Sequence, residues 1–574
     1  MRKLLGMLKP YLPMIIASLV LLLVQSITDL YLPTLNAEII NEGIAKGDTS
    51  VVWRIGGMML LVTAAMAVCA ILVSYLSART SMRFGRDLRR AVFTKVQSLS
   101  QQEMDKFSTP SLITRGTNDA QQVQMVIMMG LRMMAMAPIM MIGGIIMALR
   151  QDMGLSAILA VVLPVMVGFA VFVATKSQPM FKQMQTRLDR LNQVVREKLS
   201  GVRVIRAFVR VDYESKRFEQ ANTDLADMNF KIAKLMSAIF PVMTVLFSFT
   251  SLAITWFASK RIDAGTLQVG NMTAFTSYVM QIMGSVMMSV MIFNMIPRAM
   301  ASANRINEVL DTEPTIVDAP KGNVATGSGD VVFSHVSFRY PDAEEAVLSD
   351  INFAAKSGET VAFIGSTGSG KSTLVNLVPR FFDVTEGSIT INGQDIRDIT
   401  QEQLRSRIGY IPQKAFLFQG SVAENMRFGK RDATEQEMWD ALEIAQAKSF
   451  VEAMEGQLDA FISQGGTNVS GGQRQRLSIA RALVGTRDIY IFDDTFSALD
   501  FKTDAALRMA LKAQMSRAVT LIVAQRVSTV MNADRIIVLD NGQVAGNGTH
   551  QELMNTCEVY QEIVQSQLSK EEIA

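Results

Sequence analysis

Nine consecutive residues, Gly365-Ser366-Thr367-Gly368-Ser369-Gly370-Lys371-Ser372-Thr373, combine glycines with a closing Lys-Ser-Thr. A short β-branched and aromatic run, Thr360–Ile364, leads into them, and an apolar helical stretch, Leu374–Phe382, follows. This is the phosphate-binding loop in its strand–loop–helix setting. Glycines let backbone N–H groups converge on phosphate oxygens at the positive end of a helix. Lys371 places an ammonium on the β- and γ-phosphates, and the Ser372 hydroxyl suits Mg²⁺. A second apolar strand, Ile489–Phe492, ends in Asp493-Asp494. An acid at the carboxyl end of a buried strand is costly unless it serves a ligand, so Asp493 is the candidate for holding Mg²⁺ through water. ATP with Mg²⁺ is the expected ligand.

The elements that must carry this chemistry fall into two halves. Of 39 methionines, only seven lie beyond residue 310. The first half holds six apolar windows, at about 12–35, 53–78, 125–149, 154–177, 235–258 and 272–297, each long enough to cross ~30 Å of hydrocarbon. The expected organisation is a membrane domain at 1–311, a Pro/Gly/Ser-containing linker at 312–329, and an α/β nucleotide-binding domain at 330–574. Arg2, Lys3 and Lys9 before the first window resemble a leader only at its charged start. Basic residues concentrate between windows two and three (Arg79 to Arg115) and between four and five (Lys182 to Arg217), whereas the other loops are short. That bias places both termini and both long loops in the cytoplasm. The stripe Leu188, Leu191, Val195, Leu199, Val202, Ile205 keeps helical spacing, so the membrane helices are expected to continue beyond the bilayer.

Composition closes off other classes. The 574 residues carry a formal charge of +3, with 49% hydrophobic and 19% charged residues, and the mean hydropathy is +0.22. Such a chain meets lipid and gives no sign of binding nucleic acid. Two cysteines, Cys69 and Cys557, exclude a disulfide scaffold and a cysteine zinc cluster, and two histidines exclude a His-rich metal site.

Val469-Ser470-Gly471-Gly472-Gln473, about 20 residues before the Asp493 strand, resembles the signature motif of ATP-binding-cassette (ABC) proteins. Gln413 after Ile411-Pro412 resembles the family's Q-loop, Ser497-Ala498-Leu499-Asp500 its D-loop, and Tyr340, 25 residues before Gly365, the aromatic that stacks on adenine. Six spans followed by one cassette resemble an exporter half-transporter. The resemblance implies a helical polytopic membrane domain followed by a P-loop cassette, working as a dimer. Each ATP would lie between the P-loop of one cassette and the signature (Ser470, Gly471, Gly472, Gln473) of the other. It also implies that Gln413 joins Ser372 and Asp493 at Mg²⁺, and that short coupling helices lie near Ser108–Leu112 and Asp212–Phe218, the second reaching the partner's cassette.

Two positions depart from the family. Its Glu after the Mg²⁺-binding Asp is here Asp494, and its switch-loop His is here Gln525. A carboxylate one methylene shorter falls about 1.5 Å back, and a misplacement of about 1 Å can cost ~10²-fold in rate. Gln cannot relay a proton. The expectation is a site that binds MgATP and hydrolyses it slowly, paired with a second homologous half-transporter whose competent site is completed by Ser470–Gln473. A slow homodimer is the alternative.

Met-rich stretches (Met125–Met147, Met280–Met295), with Phe247, Phe249, Phe275 and Phe293, suit an adaptable cavity for amphipathic small molecules, or ordinary lipid-facing packing. Gly143-Gly144 permits close helix approach. Asp29 and Arg132 fall inside predicted spans, where charges usually face protein or water, so either is a candidate for lining the cavity, and Asp29 attracting cationic substrates or sitting near the outer membrane surface both stay open. Multidrug-type export across a bacterial plasma membrane is the leading expectation. Lipid, peptide, thiol or heme cargo, siderophore uptake, and a gating or ATP-sensing role stay open. No appended domain is expected, and the charged tail Ser569–Ala574 is expected to fray.

Overall fold

The computed structural model describes residues 2–293, 295–318, 327, 329–341 and 343–567. Most of the linker (319–326 and 328) and the tail Ser569–Ala574 lie outside the described residues, as does the side chain of Phe293. The chain divides into two units, one holding residues 1–98 and 107–312 and the other residues 99–106 and 313–574.

The first unit is helical. Among the described residues, five helical runs are long and apolar enough to cross a membrane: Lys9–Ile44, Thr49–Ser98, Thr109–Gln151, Ser156–Ser200 and Val211–Asp263. The sixth expected span corresponds to a 25-residue helix, Val269–Phe293. Thr49–Ser98 runs unbroken for 50 residues, which at 1.5 Å per residue is ~75 Å, far more than a bilayer needs. Its apolar part lies in the first half, and the charged remainder from Arg79 onward continues the same helix.

Helices in lipid gain little from hydrophobic contrast, so small residues and polar contacts fasten them. A Cβ added at Gly144 would come within 2.7 Å of Ile282, and one at Gly143 within 2.4 Å of Leu30. The Thr34 hydroxyl lies 2.7 Å from the Tyr278 hydroxyl, which donates to the Leu30 carbonyl at 3.1 Å. Asn41 donates to Asn271 at 2.9 Å and accepts the Gly270 N–H at 2.7 Å. Gln281 donates to the carbonyl of the half-buried Asp29 at 3.4 Å. Arg132 lies in a π-helical turn, Gly130–Met134, with its side chain exposed.

Below the apolar windows, buried Asp119 binds Arg305 through both carboxylate oxygens, at 2.5 and 2.8 Å, and accepts the Ser302 hydroxyl at 2.8 Å. Arg115 donates to the Arg305 carbonyl at 2.8 Å and pairs with Glu308 at 3.0 Å. The helix Ile296–Asp311 is thereby tied to the foot of the Thr109–Gln151 run.

The second long loop departs from the sequence reading. The helix Ser156–Ser200 stops at Gly201, whose N–H still reaches the Glu197 carbonyl at 2.8 Å. A short helix, Val202–Ala207, follows, and Val209 takes a left-handed φ of +53°. The expected short helix at Asp212–Phe218 is instead the start of the long helix Val211–Ser237. The apolar stripe therefore does not run through Val202 and Ile205 as one helix. In the first loop the chain breaks at Ser98, re-forms as Gln101–Phe107, and turns at Ser108 with φ +60°.

The second unit is an α/β domain with twelve strands among its described residues. In chain order these are β1 (Val331–Phe338), β2 (Leu348–Ala355), β3 (Thr360–Gly365), β4 (Glu386–Ile391), β5 (Gln394–Asp395), β6 (Ile408–Ile411), β7 (Gly420–Ser421), β8 (Phe461–Ile462), β9 (Ile489–Asp493), β10 (Val519–Val523), β11 (Arg535–Asp540) and β12 (Gln543–Gly548). Six of them order as β12-β11-β3-β10-β9-β6; β1, β2, β4 and β5 form an antiparallel sheet, and β7 pairs with β8. Within the larger sheet β11, β3, β10, β9 and β6 are parallel and only β12 runs against its neighbour. β9 and β10 are buried at every position, as expected of parallel strands covered on both faces.

Candidate functional site

Strand order brings the site together. β10 lies between β3 and β9, and β6 lies beyond β9. Four parallel strands therefore release their following residues along one edge: the glycine loop after β3, Asp494 after β9, Gln525 after β10 and Gln413 after β6. Ligands in open parallel sheets sit at such carboxyl edges.

The glycine loop is shaped by backbone angles that side chains resist. Gly368 and Gly370 have φ of +89° and +95°, left-handed values that cost a residue with a Cβ. A Cβ at Gly370 would also press to 2.7 Å from Leu348 and 3.0 Å from the Val347 carbonyl. Gly370 caps the helix Lys371–Leu377, whose unsatisfied N–H groups face the loop. Lys371 bends back over the loop and donates to the Gly365 carbonyl at 2.9 Å, the Ser366 carbonyl at 2.6 Å and the Ser369 hydroxyl at 3.3 Å. Burial pushes its ammonium pKa down, against the pull of Asp494 and Asp493. A triphosphate would supply the negative charge this ammonium lacks.

Ser372 donates to Asp493 at 2.7 Å. Two of the three side chains expected at Mg²⁺ thus stand together, one on the P-loop helix and one at the end of β9, while the third, Gln413, donates to Asp494. Burial raises the Asp493 carboxyl pKa, the neighbouring Asp494 charge adds to this, and Ser372 and Lys371 oppose it. A carboxylate destabilised in this way gains from a cation, so the donor set fits Mg²⁺.

Asp494 is buried and holds a left-handed φ of +45°. One of its carboxylate oxygens, Oδ2, accepts both side-chain amides that face it: Gln525 at 2.9 Å and Gln413 at 3.2 Å. The two departures noted in the sequence therefore touch each other directly. The shortened carboxylate is held by two neutral donors, neither of which can take up a proton at neutral pH.

Tyr340 stands beside the loop, its hydroxyl 3.2 Å from Thr373 and its ring edge-on to Phe338 and Phe382. The signature residues lie on a different helix. Ser470 accepts the Gln473 N–H at 3.2 Å while the Gln473 side chain accepts the Ser470 N–H at 2.9 Å. This reciprocal cap opens the helix Gly471–Leu483 and leaves the exposed Gly471 at a helix N-terminus. Among the described residues, no hydrogen bond joins them to the P-loop of their own chain. Asp500 caps the helix Phe501–Gln514 through the Thr503 N–H at 2.9 Å.

One residue near the site had no local signal. Gln567, in the last turn of the helix Glu558–Gln567, donates to the Gln525 carbonyl at 2.8 Å and accepts the Val527 N–H at 2.8 Å. Forty residues of intervening chain hide that relation from any motif.

Comparison with known proteins agrees with both halves. Residues 15–286 match the ABC transporter transmembrane region and residues 348–497 match the ABC transporter family. An uncharacterised ABC transporter ATP-binding protein of Mycobacterium tuberculosis is 43% identical over 564 residues, covering 97% of each chain. A Bacillus subtilis protein named as a probable multidrug resistance ABC transporter ATP-binding/permease protein is 32% identical over 540 residues, 94% of this chain and 92% of that one. A solved bacterial Atm1-family ABC exporter with ATP bound shares the fold, with a TM-score of 0.81 at 23% identity over 97% of this chain and 98% of that one.

Proposed function

This chain belongs to the ABC transporter family, as an exporter-type half-transporter whose membrane domain precedes an ATP-hydrolysing cassette, and from that premise we propose that it is the slow-site member of a heterodimer. The observation that carries this reading is the Asp494 carboxylate oxygen occupied by the Gln525 and Gln413 amides. A water attacking a γ-phosphate needs an acceptor aimed at it. Here the acceptor is set back by a methylene and already engaged by two amides, and no histidine stands in the switch loop.

The motifs and the family resemblance suggest the remaining roles. Gly365–Thr373 would cradle the phosphates, Lys371 would neutralise them and Tyr340 would receive the adenine. Ser372, Asp493 and Gln413 would hold Mg²⁺, which would supply charge stabilisation on the phosphate oxygens. The Ser470–Gln473 turn, which makes no hydrogen bond to the P-loop of its own chain among the described residues, would close on the nucleotide held by a second half-transporter, with the D-loop residue Asp500 near the same interface. Two bound ATP close the cassettes. Hydrolysis at the competent site reopens them through like-charge repulsion, while the slow site keeps its nucleotide as a clamp.

The cargo reading rests on the membrane unit. Dense methionine suits amphipathic compounds of varied shape, and a B. subtilis relative bears a multidrug name. Asp29 offers a carboxylate at predicted membrane depth, which favours lipophilic cations. The setting is a bacterial plasma membrane with both termini cytoplasmic.

Single-turnover hydrolysis, with the P-loop lysine of each half altered in turn, tests the asymmetry. The expected outcome is slow hydrolysis at the Lys371 site and fast hydrolysis at the other. Equal rates at the two sites would sink the proposal, as would brisk ATP-driven pumping by this chain alone.

A further inference from the structure

The backbone that carries Gln525 is held by a residue outside the nucleotide site. Gln525 and Arg526 link the end of β10 to the short helix Val527–Val530. A helix leaves its first N–H groups unsatisfied, and a Ser, Thr, Asp or Asn just before it commonly closes one of them. Here the preceding residue is Arg526, whose side chain makes no cap bond. The cap comes from the C-terminal helix: Gln567 Oε1 accepts the Val527 N–H at 2.8 Å, and Gln567 Nε2 donates to the Gln525 carbonyl at 2.8 Å. One planar amide therefore holds the backbone on both sides of Arg526.

The helix Glu558–Gln567 is a firm base for this reach. Tyr560 and Val564 are buried, the Tyr560 hydroxyl lies 2.8 Å from Nδ1 of His550, and Gln561 donates to the Met554 carbonyl at 2.7 Å. On the other side of the link, the Gln525 side chain continues to Asp494 at 2.9 Å. A connected path thus runs from the C-terminal helix through the switch backbone to the carboxylate beside the P-loop.

We infer that Gln567 is a positioning residue of this chain's nucleotide site, fixing through the switch backbone the direction in which Gln525 meets Asp494 and hence how long nucleotide is retained. Gln567 acts only through Gln525 and touches no nucleotide. The inference rests on the reading of the P-loop, Asp494 and Gln525 as this chain's ATP site. It places control of nucleotide retention partly in a surface helix, where a partner or a modification could act without entering the site.

The test is the release rate of a fluorescent ATP analogue from the full-length chain assembled with its native second half. The phase belonging to this chain is the one that Lys371→Ala removes. Losing one such hydrogen-bonded contact is expected to speed that phase about three- to tenfold in Gln567→Ala. In a Gln525→Ala background the same change should add nothing, because residues acting in series are not additive. Gln567→Glu keeps the acceptor for Val527 and loses the donor to Gln525, so it should give an intermediate rate, and it separates positioning from loss of the helix. Unchanged release in Gln567→Ala overturns the inference. So does an equal acceleration with and without the Gln525 side chain, and so does wild-type release in Gln567→Glu. Failure of the slow-site reading looks different: fast single-turnover hydrolysis at this site with the non-additivity intact.

Discussion

Asp494 and Gln525 form a matched pair, so neither departure is expected to reverse alone. A glutamate at 494 would reach the attacking water, but Gln525 could still not relay the proton. A histidine at 525 would face a carboxylate set too far back. The double change Asp494→Glu with Gln525→His is therefore expected to raise single-turnover hydrolysis at this site by about 10²-fold, more than the two single changes multiplied. Quench-flow measurement on the assembled transporter checks it. Asp493 gives a second prediction at this scale. Its folded pKa lies above the ordinary aspartate value, chiefly through burial. The neutral form is thus favoured by folding, and this contribution is fully present below the ordinary value and lost as pH rises through the raised one. Mg²⁺ needs the carboxylate, so its affinity should increase with pH across that window. Mg²⁺ titration of nucleotide binding at stepped pH should show the slope, and Asp493→Asn should flatten it.

Among elements, the tie between the helix Ile296–Asp311 and the foot of the third span makes an asymmetric prediction. Asp119 is buried, whereas the Arg305 side chain is 46% exposed. Arg305→Ala strands a buried carboxylate with Ser302 as its remaining hydrogen-bond partner and should cost about 3–5 kcal/mol. Asp119→Ala leaves a guanidinium that can rehydrate, and should cost about 1–3 kcal/mol. Thermal unfolding in detergent should rank the two in that order. The tie also marks what the sequence could show. The phosphate loop and the acid at the end of β9 stand out in the sequence because phosphate and cation chemistry asks for fixed residue types within a few positions, the signature stands out only by its resemblance to a family motif, and the spans stand out because lipid demands long apolar runs. Asp119 and Arg305 lie 186 residues apart and Gln567 lies 42 from Gln525, so no local pattern announces them. The misplaced second loop has a local cause. Apolar spacing continues through Val202 and Ile205, yet Gly201 ends the helix and Val209 takes a left-handed turn, a backbone event that periodicity does not see.

At the scale of the whole transporter, closure of the cassettes must reach the membrane helices through small surfaces. The turn after the fourth span exposes Phe208 and Val209 at 75% and 84%, with Tyr213 close behind. The cassette carries an open groove of about 780 Å³ lined by Phe416, Phe418 and Phe428, with Glu424 and Arg427 at its edge. Exposed aromatic surface of this kind is unfavourable in water and gains from cover. In the heterodimer proposed above, the exposed Phe208 turn is expected to be covered by an apolar surface of the second half-transporter's cassette. Phe208→Glu would place a charge against an apolar surface. The cassettes should still bind and hydrolyse ATP, because no nucleotide contact is altered, but transport in sealed vesicles should fall about tenfold or more, since burying an unpaired charge costs several kcal/mol. Measuring ATPase and transport on one preparation distinguishes uncoupling from simple loss of fold: a Phe208→Glu transporter that keeps normal ATPase and pumps normally would remove this turn from the path between nucleotide and cargo.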